Sequence, residues 1–316
     1  MEIRCVWWDG YHNAFTDIIK HKDRFFITFR HGTSHGFQGK GEIYIIFSKD
    51  LTEWGLVKKF PALIDSRDPK FFKFRDKLGV VFGAYSNFEM GKIDIYISYS
   101  EDGINWGKLI KIENYNLWFW RIRNFKEKLY ATAYELKLEK GTYLYLSDNG
   151  INFKQVSQIV KGEYANESDL LFEDDGLCYA IVRRENWQTP IFAISQPPYK
   201  KWEKYNLNYI VQGPHIFKFK NQINIAGRVY IKNGNLLSQK EDEYETKTAI
   251  LKIDMENYKL IPIKILPSSG DTSYCGSIVD NERLFLTYYS QHELGLKESK
   301  VEKNASGIYL LTTESL

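Results

Sequence analysis

Carboxylates, arginines and tyrosines recur at matched places along the chain, and they are its strongest candidates for chemistry. When six short polar turns are aligned, the position eight residues upstream is occupied by Phe15, Asp68, Phe119, Glu167, Gly213 and Tyr274. Two residues further along, the aligned set is Asp17, Lys70, Arg121, Asp169, His215 and Gly276. Side chains of these types can exchange protons with a substrate, attack it, or bind an anionic group.

The strands that follow the turns add cations and aromatics at the same end. Their last residues include Arg30, His31, Arg183, Arg228 and Tyr289. Adjacent strand residues point to opposite faces, so one of Arg183 and Arg184 is expected to face a ligand, and we favour Arg183. Buried charges need partners. Four residues are therefore expected to neutralise one another: Asp17, Lys70, Arg121 and Asp169.

A repeated turn that closes on an aromatic residue indicates which elements position these side chains. Copies span residues 48–54, 100–106, 147–153 and 195–202, and the closing aromatics lie 52, 47 and 49 residues apart. Strand-rich repeats of this length are typical of propellers and solenoids. Asp or Asn with Gly favours a tight turn, and Trp54, Trp106 and Trp202 are expected to be buried between neighbouring sheets.

The alternating apolar pattern around the six polar turns predicts six similar units of β-strands. We therefore predict an all-β fold, a six-bladed β-propeller that forms a single domain over residues 1–316. Residues 3–8 are expected to pair with the strand at residues 307–312 and complete the last blade. Such closure removes an exposed sheet edge.

Composition bounds the class of protein. The 316-residue chain is 16% aromatic and carries a net charge of +3, which gives no case for a nucleic-acid partner. No apolar run of about 20 residues predicts a membrane span. Three cysteines without metal-ligand spacing favour a reducing compartment and predict neither a metal ion nor another cofactor. With no signal peptide visible, a cytoplasmic location is expected, or a secreted one if a leader was removed. The oligomeric state is left open.

The chain resembles the sialidase (neuraminidase) superfamily over nearly its whole length. The turn repeats resemble that family's Asp-boxes, one residue shorter than usual. Residues 166–176, followed by Arg183, resemble the segment with a catalytic glutamate and a substrate-binding arginine. Residues 272–276 resemble the segment that carries the nucleophilic tyrosine, and Gly227-Arg228 resembles a further arginine site.

The resemblance implies a glycoside hydrolase that removes a terminal acidic sugar from a glycan. Tyr274 would be the nucleophile and Glu167 its base, because a neutral phenol is not repelled by a carboxylate on the anomeric carbon. Arginines would hold that carboxylate. The remaining residues expected to bind substrate are Arg30, Asp68, Arg183, Arg228, Asp17 and Tyr289.

The first unit departs from the family pattern. The first strand has no Arg-Ile-Pro segment, so Arg30 on the adjacent strand is expected to substitute. The loop after that second strand, residues 30–40, contains no acidic residue. His31 or His35 is therefore expected to act as the proton donor, since histidine titrates near neutrality.

Two other functions remain open. Ser66-Arg67-Asp68-Pro69 resembles a motif of invertase-like and arabinanase-like hydrolases, whose propellers have five blades. In that mechanism Asp17 is the base or nucleophile, Asp68 stabilises the transition state and Glu167 is the acid. The third possibility is a propeller that binds glycans without cleaving them, since a fold does not determine a function.

Overall fold

The computed structural model of the protein describes residues 1–87, 91–113, 116–136 and 141–316. It confirms the predicted fold class: six antiparallel sheets follow one another along the chain as the blades of a six-bladed β-propeller. The chain divides into two compact units, residues 1–112 with 268–316, and residues 113–267. That the chain is one domain remains a prediction. Among the described residues, no helix has the length and apolar character needed to cross a membrane.

The first unit contains three four-stranded sheets. The first sheet consists of β2 (His12–His21), β3 (Arg24–Gly32), β4 (Glu42–Ser48) and β5 (Gly55–Phe60). The second consists of β6 (Ser66–Phe74), β7 (Lys77–Asn87), β8 (Lys92–Ser100) and β9 (Ile110–Ile112). The last consists of β23 (Thr272–Asp280), β24 (Arg283–Ser290), β25 (Gly307–Thr313) and β1 (Glu2–Trp7). Strand β1 pairs antiparallel with β25, with Ile3 opposite Leu311, as predicted.

The second unit contains the other three sheets. The third sheet consists of β10 (Leu117–Phe125), β11 (Lys128–Glu135), β12 (Thr142–Ser147) and β13 (Lys154–Val160). The fourth consists of β14 (Ala165–Phe172), β15 (Cys178–Arg184), β16 (Ile191–Ser195) and β17 (Glu203–Asn206). The fifth consists of β18 (Gln212–Phe219), β19 (Gln222–Lys232), β21 (Glu245–Asp254) and β22 (Lys259–Leu266), with the short β20 (Asn235–Leu236) paired to β19.

The repeated turns fold because short polar side chains satisfy their backbone amides. In the turn after β8, Ser100 Oγ accepts from Gly103 N, and Asp102 Oδ1 accepts from Ile104 N and Asn105 N. In the turn after β12, Ser147 Oγ and Asn149 Oδ1 accept the corresponding amide hydrogen bonds. Side chains of this kind favour turns because they bond to the backbone a few residues ahead.

The closing tryptophans are less buried than predicted. Trp54, Trp106 and Trp202 are all partly exposed. Trp106 still packs against Phe60 of the first sheet and Phe71 of the second, at ring-centroid distances of 6.0 and 6.4 Å. Its indole N–H donates to Gly103 O at 2.9 Å. The ring therefore lies between two sheets but at the rim of the core, because its polar edge is used by the turn itself.

Candidate functional site

A β-bulge interrupts the first strand of every sheet at the same place. The pairing register shifts between Ala14 and Asp17, Arg67 and Lys70, Phe119 and Arg121, Ala165 and Ser168, Gln212 and His215, and Ser273 and Gly276. A bulge places two residues opposite one and turns a side chain away from the regular alternation. The aligned positions from the sequence fall at these bulges, which makes them the natural place for a site.

One aligned position is wrong by a residue, in the fourth sheet. Both Asn166 and Glu167 lie in its bulge, but Asn166 occupies the place held elsewhere by Asp68 and Tyr274, and Ser168 follows the bulge instead of Asp169. The reason is the hairpin. Five residues separate the paired Phe172 and Cys178, whereas two-residue turns join the corresponding strands of the other sheets.

Three bulge residues of the first unit have strained backbones. Phe15, Asp68 and Tyr274 have φ angles of 62°, 55° and 50°. Residues other than glycine seldom occupy this left-handed region, and each such residue costs on the order of 1–3 kcal/mol. Strain of this kind concentrates at active sites and binding sites. The strain therefore marks these three side chains as candidates for function.

Aromatic rings and one guanidinium gather around Phe15 in the first unit. The Phe15 ring meets Tyr274, His35 and Tyr289 edge-on, at centroid distances of 5.1, 5.2 and 5.7 Å. The Arg67 guanidinium lies over the same ring, with Cζ 4.9 Å from its centroid. We call these five residues the Phe15 cluster. It brings together Tyr274, Tyr289 and His35 of the sequence-predicted set, and it adds Arg67.

Arg30 is committed to the protein itself. Its side chain is fully buried, and it donates to Asp65 Oδ1 through Nε and Nη2, at 3.0 and 2.8 Å. Nη1 donates to Ser34 O at 2.7 Å and Nη2 to Gly36 O at 3.1 Å. Arg30 was expected to bind substrate in place of the missing first-strand arginine. The geometry instead assigns it to holding the loop after β3.

Arg67 is the arginine that sequence reasoning missed. Its Nη1 donates to His35 O at 2.9 Å and to Asp65 Oδ2 at 3.1 Å, and its Nε lies 3.9 Å from Asp68 Oδ2. The Arg67 side chain is 14% exposed, whereas that of Arg30 is fully buried. Arg67 was visible in the sequence as the neighbour of Asp68, but nothing there showed which arginine would be accessible.

The two candidate proton donors have different surroundings. His31 is 13% exposed, stacks on Tyr44 at 4.2 Å and pairs through Nε2 with Asp9 at 3.0 Å. Burial alone would raise the pKa of Asp9, but the hydrogen bonds from His31, Asn13 and the Tyr11 amide, with the charge of His31, together outweigh burial and lower the pKa to about 2. His35 is 47% exposed, and its Nδ1 lies 2.6 Å from Asp271 Oδ2. Of the two, His35 contacts the Phe15 cluster.

Asp271 is a second residue that sequence reasoning missed. Besides His35, it binds His12 Nε2 through Oδ2 at 2.9 Å and accepts the Tyr289 hydroxyl through Oδ1 at 2.6 Å. The ligand atoms of His12, His35 and Asp271 lie within 4.8 Å of one another, close enough in principle to hold a metal ion. The only available signal was its place directly before the Tyr274 segment.

The second unit holds a network of charges around Glu167. Glu167 Oε1 pairs with Arg183 Nη1 at 2.7 Å, and Oε2 accepts the Gly213 amide at 3.1 Å. Arg183 Nη2 also pairs with Glu185 at 2.7 Å. Arg228 and Arg183 both act on buried Tyr230: burial raises the pKa of its hydroxyl, and the two cations oppose the rise. We call Glu167, Arg183, Glu185, Arg228 and Tyr230 the Glu167 network.

Arg184 faces away from this network, as the strand alternation predicts. It donates to Thr189 O at 2.8 Å and pairs with Glu163 at 2.9 Å. That Arg183 faces a ligand stays a prediction. Because Glu167 and Tyr274 belong to different units, their expected pairing stays a prediction.

The buried charges of the expected group have polar partners in their own units. Asp17 Oδ2 accepts the Phe71 amide at 2.8 Å, and Lys70 Nζ donates to Thr16 O at 2.8 Å. In the second unit Asp169 pairs with Arg123, Arg121 and His215 at 2.7, 3.4 and 2.8 Å. Arg123 and His215 were not part of the expected group of four. These contacts give Asp17 and Asp169 structural roles.

Comparisons with known proteins show the fold alone. No protein-family profile matches the chain. No curated protein sequence is similar to it. Among solved structures, a protein of unknown function from Dyadobacter fermentans aligns over 99% of this chain and 98% of its own, with a TM-score of 0.74 and 16% identity.

Two enzymes are also similar in structure. Phage phi92 endosialidase has a TM-score of 0.73 and 10% identity, over 100% of this chain and 69% of its own. Trypanosoma rangeli sialidase has a TM-score of 0.64 and 10% identity, over 95% of this chain and 55% of its own. The TM-scores establish a sialidase-like propeller fold. At such low identity they do not establish an activity, which depends on the residues of the site.

Proposed function

We propose that the protein is a glycoside hydrolase that cleaves a terminal sugar bearing an anionic group, with Tyr274 as the nucleophile. The observation that carries the proposal is the setting of Tyr274. It lies on a strained bulge with its ring against Phe15, and the partly exposed Arg67 guanidinium lies over the same Phe15 ring. A buried phenol placed at such a cost, beside a cation that can bind an anion, suits attack on an acidic sugar.

The choice of tyrosine has an electrostatic reason. An anionic group near the anomeric carbon repels a carboxylate nucleophile but not a neutral phenol. Tyrosine has an ordinary pKa of about 10, so it needs a base close to it during attack. Glu167 is the proposed base. Its two carboxylate oxygens accept hydrogen bonds from Arg183 Nη1 and Gly213 N, which fix its position.

The preference for an acidic sugar rests on the arginines. Arg67 is 14% exposed, and Arg183 and Arg228 are the corresponding candidates of the second unit. Arginine binds carboxylates through paired, charge-assisted hydrogen bonds. The names of the two enzymes that share the fold make sialosides the first substrates to test.

The experiment compares three variants on a panel of aryl glycosides of acidic and neutral sugars. Tyr274→Phe removes one oxygen from the buried ring, so it should keep the fold and lower kcat about 10⁴-fold or more. Glu167→Gln should lower kcat as well, by at least about 100-fold. Wild-type turnover of acidic glycosides, and not of neutral ones, is the expected result. Full activity of Tyr274→Phe would contradict the proposal.

Asp68→Asn tests the two-carboxylate mechanism in the same assay. Two observations count against that mechanism: the fold has six sheets where the invertase-like enzymes have five blades, and Asp17 is 3% exposed and bonded to the Phe71 amide. The strained φ of Asp68 is the one observation in its favour. Loss of turnover in Asp68→Asn with an active Tyr274→Phe would establish it. A wild type that binds acidic glycans but cleaves none would instead establish a glycan-binding protein.

A further inference from the structure

We propose that Asp271 and His35 form a dyad that donates a proton to the leaving group, with Asp271 as the positioning residue and His35 Nε2 as the donor atom. This inference rests on the proposed hydrolase function and names its acid. It also replaces the acidic residue that the loop after β3 lacks.

A hydrogen bond joins the two residues. His35 Nδ1 lies 2.6 Å from Asp271 Oδ2. Asp271 therefore fixes a proton on Nδ1, which leaves Nε2 as the nitrogen that exchanges protons. Nε2 has no hydrogen-bond partner among the described residues, and the ring is 47% exposed. The reactive nitrogen is thus open to a substrate while the other is held.

Asp271 is itself held in place by hydrogen bonds. Its Oδ1 accepts the Tyr289 hydroxyl at 2.6 Å, and its backbone N–H donates to Gln291 Oε1 at 2.8 Å. His12 Nε2 is 2.9 Å from Oδ2. Burial lowers the pKa of His12 despite the nearby carboxylate, so His12 stays neutral and donates a hydrogen bond without cancelling the charge of Asp271. The carboxylate can then stabilise a protonated His35.

The loop that carries His35 is held in place by arginine side chains. Three successive backbone carbonyls accept hydrogen bonds from arginine side chains: Ser34 O and Gly36 O from Arg30, and His35 O from Arg67. Both arginines are tied to the fully buried Asp65. Two arginines and a buried carboxylate thus hold an exposed histidine in one place. These hydrogen bonds explain why Arg30 is buried and not available to a ligand.

In the reaction, the bond between the anomeric carbon and the leaving oxygen breaks as the Tyr274 oxygen bonds to that carbon. The leaving oxygen takes the Nε2 proton of protonated His35, and the Tyr274 proton passes to the proposed base. Water then attacks the anomeric carbon of the glycosyl-tyrosine, and its proton goes to the now neutral Nε2. Tyr274 recovers its proton from the base, so each group returns to its starting state.

The distances distinguish this dyad from a metal site. In a tetrahedral zinc site the nitrogen and oxygen ligands, each about 2.0–2.1 Å from the ion, lie about 3.3 Å from one another. The two imidazole nitrogens here lie 2.6 and 2.9 Å from the same carboxylate oxygen. These are hydrogen-bond lengths, and they place protons where an ion would have to lie.

Nitrogen-15 NMR of the histidine rings tests the dyad without any need for activity. In the full-length wild type, neutral His35 should be protonated on Nδ1 and bare on Nε2, and added Zn²⁺ at equimolar concentration should leave this signature unchanged. Asp271→Asn should move the proton of His35 toward Nε2, the usual preference of a free imidazole. A wild-type His35 protonated on Nε2, or one that binds Zn²⁺, would overturn the dyad.

Leaving-group dependence tests the donor role. His35→Gln should lower kcat at least about 100-fold on an alkyl or sugar aglycone, which needs a proton, and less than about 10-fold on 4-nitrophenol, which does not. His21→Gln is the matched control: this histidine lies at the turn end of β2, 2.8 Å from Glu101 O, and its replacement should affect both substrates equally and slightly. Equal losses on both substrates in His35→Gln would overturn the donor role. Absence of any wild-type hydrolysis, with the Nδ1 signature present, would remove the proposed function and leave Asp271–His35 as a structural pair.

Discussion

The Phe15 cluster of the first unit and the Glu167 network of the second unit share one backbone feature, a β-bulge, but the bulge presents different side chains in each. Both lie at a bulge in the first strand of a sheet. In the first unit the bulge turns a phenol toward the rings of Phe15 and Tyr289. In the second it turns a carboxylate toward one guanidinium nitrogen and a backbone amide. The fold supplies positions, and the side chains placed there decide what chemistry is possible.

The buried charges differ in the same way. In the first unit Asp65 holds two arginines that also donate to carbonyls of the loop after β3. In the second unit Asp169 holds two arginines and a histidine that stay within the buried network. Charge burial therefore organises a candidate site in one unit and stabilises strand packing in the other. Three predictions follow from this difference, in order of decreasing effect.

The largest effect is expected from removing either buried carboxylate charge. Asp169→Asn leaves Arg121 and Arg123 without their anion and should lower the free energy of unfolding by about 3–5 kcal/mol. Asp65→Asn should have a cost of similar size, because both carboxylates are fully buried. Urea denaturation of the two variants measures both values.

The two variants should differ in activity. Asp65→Asn frees the loop that carries His35, so residual activity below the unfolding temperature should fall, whereas Asp169→Asn should keep the kcat of the wild type. If Asp169→Asn loses activity while Asp65→Asn keeps it, the assignment of roles to the two networks is reversed.

A smaller effect is expected from the aromatic residues that close the repeated turns. Trp106 of the first unit packs on Phe60 and Phe71, and Phe153 of the second packs on Phe119 at 5.4 Å. Replacing either ring by alanine should lower the free energy of unfolding by about 3 kcal/mol. Thermal and urea unfolding can check this. A loss below about 1 kcal/mol in Trp106→Ala would show that its exposed part dominates and that the turn does not need the ring.

The smallest effect concerns pH and belongs to the second unit. Burial lowers the pKa of His215 from 6.5 to about 4, against the opposing influence of Asp169. Between these two pH values the unfolded chain binds a proton at this residue that the folded chain does not. The free energy of unfolding should therefore fall as pH decreases from 6.5 to 4, by up to about 1.4 kcal/mol per pH unit. His215→Gln should flatten this slope, and an unchanged slope in the variant would contradict the assignment.

The repeat predicted the fold because a local pattern was enough. The turn at residues 100–106 closes on its own Ser and Asp side chains, so its conformation could be recognised from the sequence. The site needed register as well. A hairpin loop three residues longer than the others displaced Glu167 by one position, and only the strand pairing shows this. The extra residues of that loop were visible, but their effect on register was not.

Residues joined by long-range contacts could not be predicted. Asp271 meets His35 across 236 residues of sequence, and Arg30 meets Asp65 across 35. Arg30 and Arg67 have the same chemistry and both donate to the loop, and only their neighbours decide which one is fully buried and which one stays partly exposed. Such choices depend on tertiary packing, and a pattern of residue types along one chain does not contain it.

Covalent trapping tests the central claim, that Tyr274 is the nucleophile, most directly. A fluorinated acidic sugar with a good leaving group slows hydrolysis of the glycosyl-enzyme, so the wild type should gain the mass of one sugar. Peptide mass spectrometry should place that mass on Tyr274, and Tyr274→Phe should gain none. An adduct on Asp68 or Asp17, or steady hydrolysis of the natural glycoside by Tyr274→Phe, would contradict the account.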